Sequence, residues 1–291
     1  FWFDKFCLSL FLRIHFNLFK AVFVDKLIVL FDDNAISIDG GTALSVSDNQ
    51  LARFLASGWD VSAVDGHDAA AISEAIDAAK QSDKPSMIAC KTIIGCGAPN
   101  KEGTSATHGA PLGEEELSAA RKNLGWTAAP FDVPADVLSA WRAAGTRGAA
   151  ERSAWTKRLA DSGHQIDFTA AMAGDLPEGW INAVNEHKKA VSVEAPGWAT
   201  RKASGEALEV LNKVVTEMVG GSADLTGSNN TKVQSHKPVR SGDFSGRYIH
   251  YGVREFGMGA IMNGMALHGG IIPYSGTFLV FADYSRAAIR L

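Results

Sequence analysis

Cysteine is scarce in this chain. Three residues in 291, Cys7, Cys90 and Cys96, form neither a CxxC pair nor an even-numbered framework. A disulfide-stapled extracellular fold is therefore excluded, and a reducing, cytoplasmic setting is the expectation. The eight histidines are scattered, so a Cys/His zinc site is not expected either. Long basic runs are absent and the formal net charge is −4, which argues against nucleic acid or an anionic membrane as a partner. No uninterrupted apolar stretch reaches the roughly 18 residues of a membrane span. Even the aromatic-rich start, residues 1–25, is broken by Lys5, Arg13 and Lys20, and Asp4 and Arg13 spoil a signal-peptide pattern. Internal repeats and low-complexity segments are also lacking, which removes solenoid architectures.

What remains is a chain of ordinary globular composition, 46% hydrophobic with nine prolines, long enough for one large or two ordinary domains. Leu27–Phe31 is a continuous apolar run of strand length, expected to lie in a parallel sheet and to be buried on both faces. Asp48–Gly58 reads as a helix capped by Asp48, Trp59–Val64 as a strand, and Asp68–Gln81 as an alanine-rich amphipathic helix. Met87–Ile94 is a further buried strand. Such alternation predicts a parallel α/β sheet. Glu114–Leu124 follows as a helix with three acids in its first turn, as the dipole favours. Residues 125–200 carry no assignable chemistry and read as a surface connection between domains, interrupted by polar helices such as Ala149–Ser162. A helix from Arg201, a glycine-rich stretch from Met218, a helix from Glu255 to Gly270 and a strand-like IIPY complete the chain.

Three places call for more than a structural reading. Asp32, Asp33 and Asn34 follow the first strand at its carboxyl end, where ligands bind in open α/β sheets. The same residues also suit an Asx-type turn. An EF-hand is ruled out because Ile36 stands where an oxygen ligand is needed. Gly95 and Gly97 begin a GxG pattern, but Asn100 replaces the third glycine of a dinucleotide fingerprint. His108 is isolated in the loop Lys101–Gly113, where an exposed histidine is the ordinary expectation. Glu255 is the sole acid from there to Gly270. It either complements the helix dipole or is a buried acid that shares a proton with a ligand nitrogen.

The blocks GGSADLTGSNN (Gly220–Asn230), SGRYIHYGVREFGMGAIMNG and PYSGTFLVFADYSRAAIR, in that order, resemble the pyrimidine-binding domain of the transketolases. The strand ending in DDNAISIDG and the HGAPL loop resemble their diphosphate-binding domain. The resemblance implies an α/β fold of two thiamine-diphosphate-binding-type parallel-sheet domains, both incomplete here. Its expected layout is a leader unrelated to the family over 1–25, the end of the diphosphate-binding domain over 26–165, a linker over 166–200, and the start of the pyrimidine-binding domain over 201–291.

The resemblance further implies transfer of a two-carbon ketol unit from a ketose phosphate to an aldose phosphate. The reaction runs through a thiamine diphosphate carbanion, with Mg²⁺ or Ca²⁺ holding the diphosphate. By the family pattern, Asn34 and the Ile36 carbonyl bind the metal, His108 reaches the diphosphate and the donor sugar, and Ile94 touches the thiazolium ring. Arg201 and Ser228 hold the substrate phosphate, and Phe278 and Phe281 wall the aminopyrimidine. Spaced three apart, those two rings equally suit an ordinary core. Glu255 hydrogen-bonds the pyrimidine and starts the proton transfer. Implied partners are sugar phosphates and a second copy of the chain, in a homodimer with the cofactor at the subunit interface. The pathway implied is pentose phosphate metabolism or its photosynthetic counterpart. One departure stands out: the family's Gly-Asp-Gly metal motif does not precede Leu27. Its loss, and the incomplete sheets, lead to the expectation that the chain by itself is poorly soluble or inactive. Alternatives are an inactive module that binds a partner chain, a dihydroxyacetone synthase relative, or, last, a structural metal-binding domain.

Overall fold

The computed structural model describes residues 26–240 and 242–291; the leader expected over 1–25 lies outside them. The described chain falls into two compact units that divide between Glu151 and Arg152.

The first unit is built on a three-stranded parallel sheet in the order β1 (Ile28–Asp33), β5 (Ser86–Lys91), β4 (Asp60–Asp65). Ile28 and Asp60 both face Ser86, and Asp33 and Asp65 both face Lys91, so the three strands end level. The central strand SMIACK is buried over its first five residues, which explains its unbroken apolar character. β1 lies at one edge of the described sheet. The expectation that it is buried on both faces is not met, and Leu30 is 53% exposed. Beneath the sheet Ile88 and Cys90 pack on Ala75, Ile76 and Ala79 of α2 (Ala69–Gln81). Asp68 caps α2 through the Ala70 and Ala71 amides. In α1 (Gln50–Ala56) the cap is Asn49, not the expected Asp48. The Asp48 carboxylate instead pairs with Arg53 at 3.2 Å. β5 also ends earlier than its apolar run, since Thr92 turns away to meet β1. After β1 the chain makes a small antiparallel ribbon, β2 (Ile36–Ser37) with β3 (Gly40–Gly41). α3 (Glu114–Asn123) follows the long loop after β5.

The polar helices expected within residues 125–200 are α4 (Ala135–Thr146), α5 (Ala149–Asp161), α6 (Gln165–Ala173) and α7 (Trp180–Glu194). None of the four contains a buried residue, as expected of a surface connection.

In the second unit α8 (Thr200–Val214) leads into β6 (Met218–Ser222), the centre of a parallel sheet ordered β7 (Tyr248–His250), β6, β8 (Ile272–Pro273). Two glycines in β6 are dictated by close approach. A Cβ at Gly220 would lie 2.5 Å from the Tyr274 ring, and one at Gly221 only 2.2 Å from the Tyr251 ring. Those separations are far inside van der Waals contact. A short helix, α9 (Thr226–Asn229), follows β6. α10 (Glu255–His268) follows β7 and packs Met258 on Ala223, Ile249 and Tyr251. Only its start is buried: Glu255, Gly257, Met258 and Gly259 are, whereas Leu267 is 88% exposed. The chain ends in a 3₁₀ turn, Leu279–Ser285, and α11 (Arg286–Arg290). Among the described residues no helix is long and apolar enough to cross a membrane.

Candidate functional site

In the first unit the predicted residues lie at the carboxyl ends of adjacent parallel strands, the edge where α/β sheets bind ligands. Asn34 directly follows β1. Its Nδ2 donates to Asp32 Oδ2 at 3.1 Å, and its Oδ1 accepts the Ile36 N–H at 3.0 Å. Asp32 Oδ1 in turn accepts from the Thr92 hydroxyl, tying the end of β1 to the end of β5. The Asx-type turn is therefore formed, and Ala35 sits in it at φ 58°. No group of three or more His, Cys, Asp or Glu able to hold a metal forms among the described residues. Beside the Asp32 and Asp33 carboxylates, this turn offers two neutral, hard oxygens, the Asn34 amide and the Ile36 main-chain carbonyl. That chemistry suits a cation which completes its shell with phosphate and water.

Ile94 lies in the turn after β5, half-buried. Its carbonyl accepts from Gly103 N–H at 2.8 Å, and the neighbouring Ile93 N–H donates to His67 Nε2 at 2.9 Å. His67, beyond the end of β4, was not singled out from sequence. His108 terminates a 3₁₀ turn over Ser105–Thr107 and is half-buried, so the expectation of an ordinary exposed loop histidine is not met.

The other predicted residues lie in the second unit, with Ser228 on the short helix that follows β6. Ser222, fully buried, donates to the Gly276 carbonyl at 3.1 Å and accepts the Leu225 N–H at 3.1 Å. This clasp sets the chain that enters α9, where Ser228 lies. Tyr248, also fully buried, joins the Thr226 and Thr231 hydroxyls at 2.9 and 2.8 Å. Tyr274 donates to the Thr231 carbonyl at 2.9 Å. Burial pushes the Tyr251 and Tyr274 hydroxyls up to about 12, so both stay protonated at neutral pH. Arg201 is exposed near the start of α8. It shares a helix face with Gly205, whose missing Cβ would lie 3.1 Å from Asn230, two residues past Ser228.

Glu255 is the first residue of α10 and 6% exposed. It satisfies both sequence readings at once, being at a helix N-terminus and buried. No ion pair to it forms among the described residues. Its Oε1 accepts from the Thr277 hydroxyl at 3.1 Å. Thr277 went unnoticed in the sequence, although its place beside Phe278 was a usable signal. Phe278 and Phe281 stack with centroids 5.6 Å apart, and Phe278 is 41% exposed, so that ring is not a core residue.

Comparison with known proteins identifies the family. Residues 16–179 match the transketolase thiamine diphosphate binding domain, and residues 197–291 match the transketolase pyrimidine binding domain. A transketolase of Cereibacter sphaeroides is 53% identical over 269 residues, covering 91% of this chain and 40% of the relative. One from Sinorhizobium medicae is 50% identical over 266 residues, 91% of this chain and 38% of the relative. The chain thus spans about two fifths of the length of the relatives it matches. Among solved structures, transketolase from Leishmania mexicana superposes with a TM-score of 0.86 at 37% identity, over 98% of this chain and 43% of that one. A Pichia stipitis transketolase complexed with sedoheptulose-7-phosphate gives 0.86 at 34% identity, over 98% of this chain and 44% of that one. With two successive domain matches in order and a shared α/β fold, the chain belongs to the transketolase family.

Proposed function

We propose that this chain carries part of the machinery of a transketolase, moving a two-carbon ketol unit between sugar phosphates with thiamine diphosphate and a divalent metal. One observation carries the reading: Glu255 is a buried carboxylate with no cationic partner among the described residues. An uncompensated buried charge costs several kcal/mol unless something pairs with it. A ring nitrogen that shares its proton is such a partner.

Bound thiamine diphosphate supplies an electron sink for cleaving the carbon–carbon bond beside a ketose carbonyl. Glu255 hydrogen-bonds the aminopyrimidine nitrogen and holds a proton there. Thr277 occupies Oε1, which orients the carboxylate toward the ring. Phe278 and Phe281 form the apolar wall that excludes water. Asn34 Oδ1 and the Ile36 carbonyl hold the Mg²⁺, or a Ca²⁺ in its place, and Ile94 presents an apolar surface to the thiazolium. His108 reaches the diphosphate and the donor sugar. Arg201, with a guanidinium fork, and Ser228, with a hydroxyl, bind the substrate phosphate.

The domain layout we propose remains the one read from the sequence, with the diphosphate-binding part over 26–165, the linker over 166–200 and the pyrimidine-binding part over 201–291. A second copy of the chain completes the cofactor site in a homodimer. The free thiols of Cys90 and Cys96 support a reducing, cytoplasmic setting. Pentose phosphate metabolism is the pathway such chemistry serves.

The test is calorimetric titration of thiamine diphosphate with Mg²⁺ into this chain and into Glu255→Ala. Metal-dependent binding that weakens at least tenfold in the variant is expected, the loss of one charge-assisted hydrogen bond. Equal affinity in both chains would remove Glu255 from the cofactor site and the reading with it.

A further inference from the structure

Glu116 is one of three acids in the first turn of α3, where the helix dipole alone accounts for a carboxylate. Unlike an ordinary dipole partner, it is only 8% exposed. Its Oε1 accepts the Asn100 N–H at 2.7 Å and the Lys101 N–H at 3.0 Å, and its Oε2 accepts the Asn100 side-chain amide at 2.9 Å. The Asn100 side chain most of all, then the two main-chain amides and the Lys101 charge, hold this carboxyl below its usual range against the opposing effect of burial.

Asn100 and Lys101 lie midway along the loop that begins at Ile94 and contains His108. Other bonds close the same loop on itself. Gly103 N–H reaches the Ile94 carbonyl at 2.8 Å, Lys101 Nζ the Leu112 carbonyl at 2.7 Å, and Gly97 N–H the Glu102 carboxylate at 2.9 Å. A loop closed internally is a rigid body, and what anchors its centre decides where both ends point. From α3, the Asn123 amide grips the Gly97 carbonyl at 2.9 Å, and Glu116 grips the loop's middle with three bonds.

We propose that Glu116 is a positioning residue of the cofactor site: its buried carboxylate seats the loop on α3 so that Ile94 and His108 are presented together. The proposal rests on the reading of Ile94 and His108 given above. A carboxylate is needed because all three partners are donors. Glutamine keeps one oxygen for the two main-chain amides but turns a donor toward Asn100, so it supports the loop in part; alanine does not.

Hydrogen exchange of the 291-residue chain, wild type beside Glu116→Ala and Glu116→Gln, tests the seating. Exchange over residues 97–110 is expected to quicken about tenfold or more in the alanine variant and less in the glutamine variant, with β5 and α2 unchanged. An unchanged loop, or equal loosening of loop and sheet, overturns the proposal by leaving Glu116 a general stability residue. Thiamine diphosphate titration of wild type, Glu116→Ala, His108→Ala and the double variant tests the link to the cofactor. Glu116→Ala is expected to weaken binding about tenfold, and by much less when His108 is already alanine. Full additivity overturns the link. If His108→Ala binds like wild type, or if none of the four binds, the functional reading and the link to the cofactor fall together, and exchange alone decides the seating.

Discussion

The two units hold their candidate residues by different means. In the first, ionisable or amide side chains reach across to pin loops: Asp32 holds Asn34, His67 holds Ile93, and Glu116 holds Asn100 and Lys101. In the second, neutral hydroxyls do the corresponding work, with Ser222, Tyr248, Tyr274 and Thr277 forming bonds in or near the core. The contrast follows the cost of burying charge. Where the first unit buries a carboxylate, as at Glu116, three donors satisfy it, whereas the core bonds of the second unit join neutral groups that carry no charge to desolvate. Against that background Glu255 is conspicuous. Of the buried polar residues among the described residues of the second unit, Asn212, Ser222, Thr231, His236, Glu255 and Ser285, it alone is an acid.

The sharpest way to break the comparison is Gly221→Ala. Its Cβ would collide with the Tyr251 ring and lie 2.9 Å from the Ile249 carbonyl, both core elements that cannot swing aside. Urea unfolding is expected to show a loss of about 3 kcal/mol, confined to the second unit. No loss would mean that the tyrosine lattice is soft.

Acidification sharpens the contrast with a smaller effect. His236 is 4% exposed, and neither ring nitrogen has a partner among the described residues. Burial first, then Arg247 and Lys232, lower its pKa from 6.5, against Glu209. The unfolded chain takes up this proton near pH 6.5 and the folded one resists, so stability is lost as pH falls from there toward the lowered value. Glu116 acts with the same sign but later in pH. Its contribution is full above 4.5 and is lost as pH falls through its lowered folded value. The second unit is therefore expected to loosen first on acid titration followed by hydrogen exchange, and His236→Phe to remove that early step. Simultaneous loosening of both units would dissolve the distinction.

The smallest effect expected is at Asn49→Ala. Removing the cap on the Ala52 amide should cost about 1 kcal/mol in the first unit, read from its thermal midpoint, while Asp48→Ala costs less. The reverse order would return the cap to Asp48.

Much of this architecture was legible because the local signals were strong. Asp68 before an alanine-rich run, three acids opening α3 and the apolar SMIACK strand each point to one structure. Where two adjacent residues could serve, as Asp48 and Asn49 could, only the Arg53 pairing decides between them. The end of β5 was hidden because Thr92, Ile93 and Ile94 are themselves good strand formers, and what stops the strand is Asp32 and His67 from elsewhere in the chain. β7 was missed for a related reason, since it is three residues long and pairs with a strand containing two glycines. Position in the sequence singled out Asn34, His108 and Glu255 and the family resemblance gave them roles, but neither carried Thr277 or Glu116. Both act through hydrogen bonds to residues distant in sequence, which periodicity does not record.

The pair of glycines crossed by tyrosine rings also constrains how this sequence can change through time. A side chain at position 221 has no space while Tyr251 keeps its ring, and one at 220 has none while Tyr274 keeps its own. At 220 a smaller residue in place of Tyr274 must therefore come first, at the expense of a buried cavity, and at 221 the Ile249 carbonyl and the Ser275 hydroxyl, each 2.9 Å from the added Cβ, would still stand in the way after Tyr251 had shrunk. Such an ordered double step is rarely taken. The strand that leads into α9 is thus held in place by the order in which mutations would have to arrive as well as by its bonds.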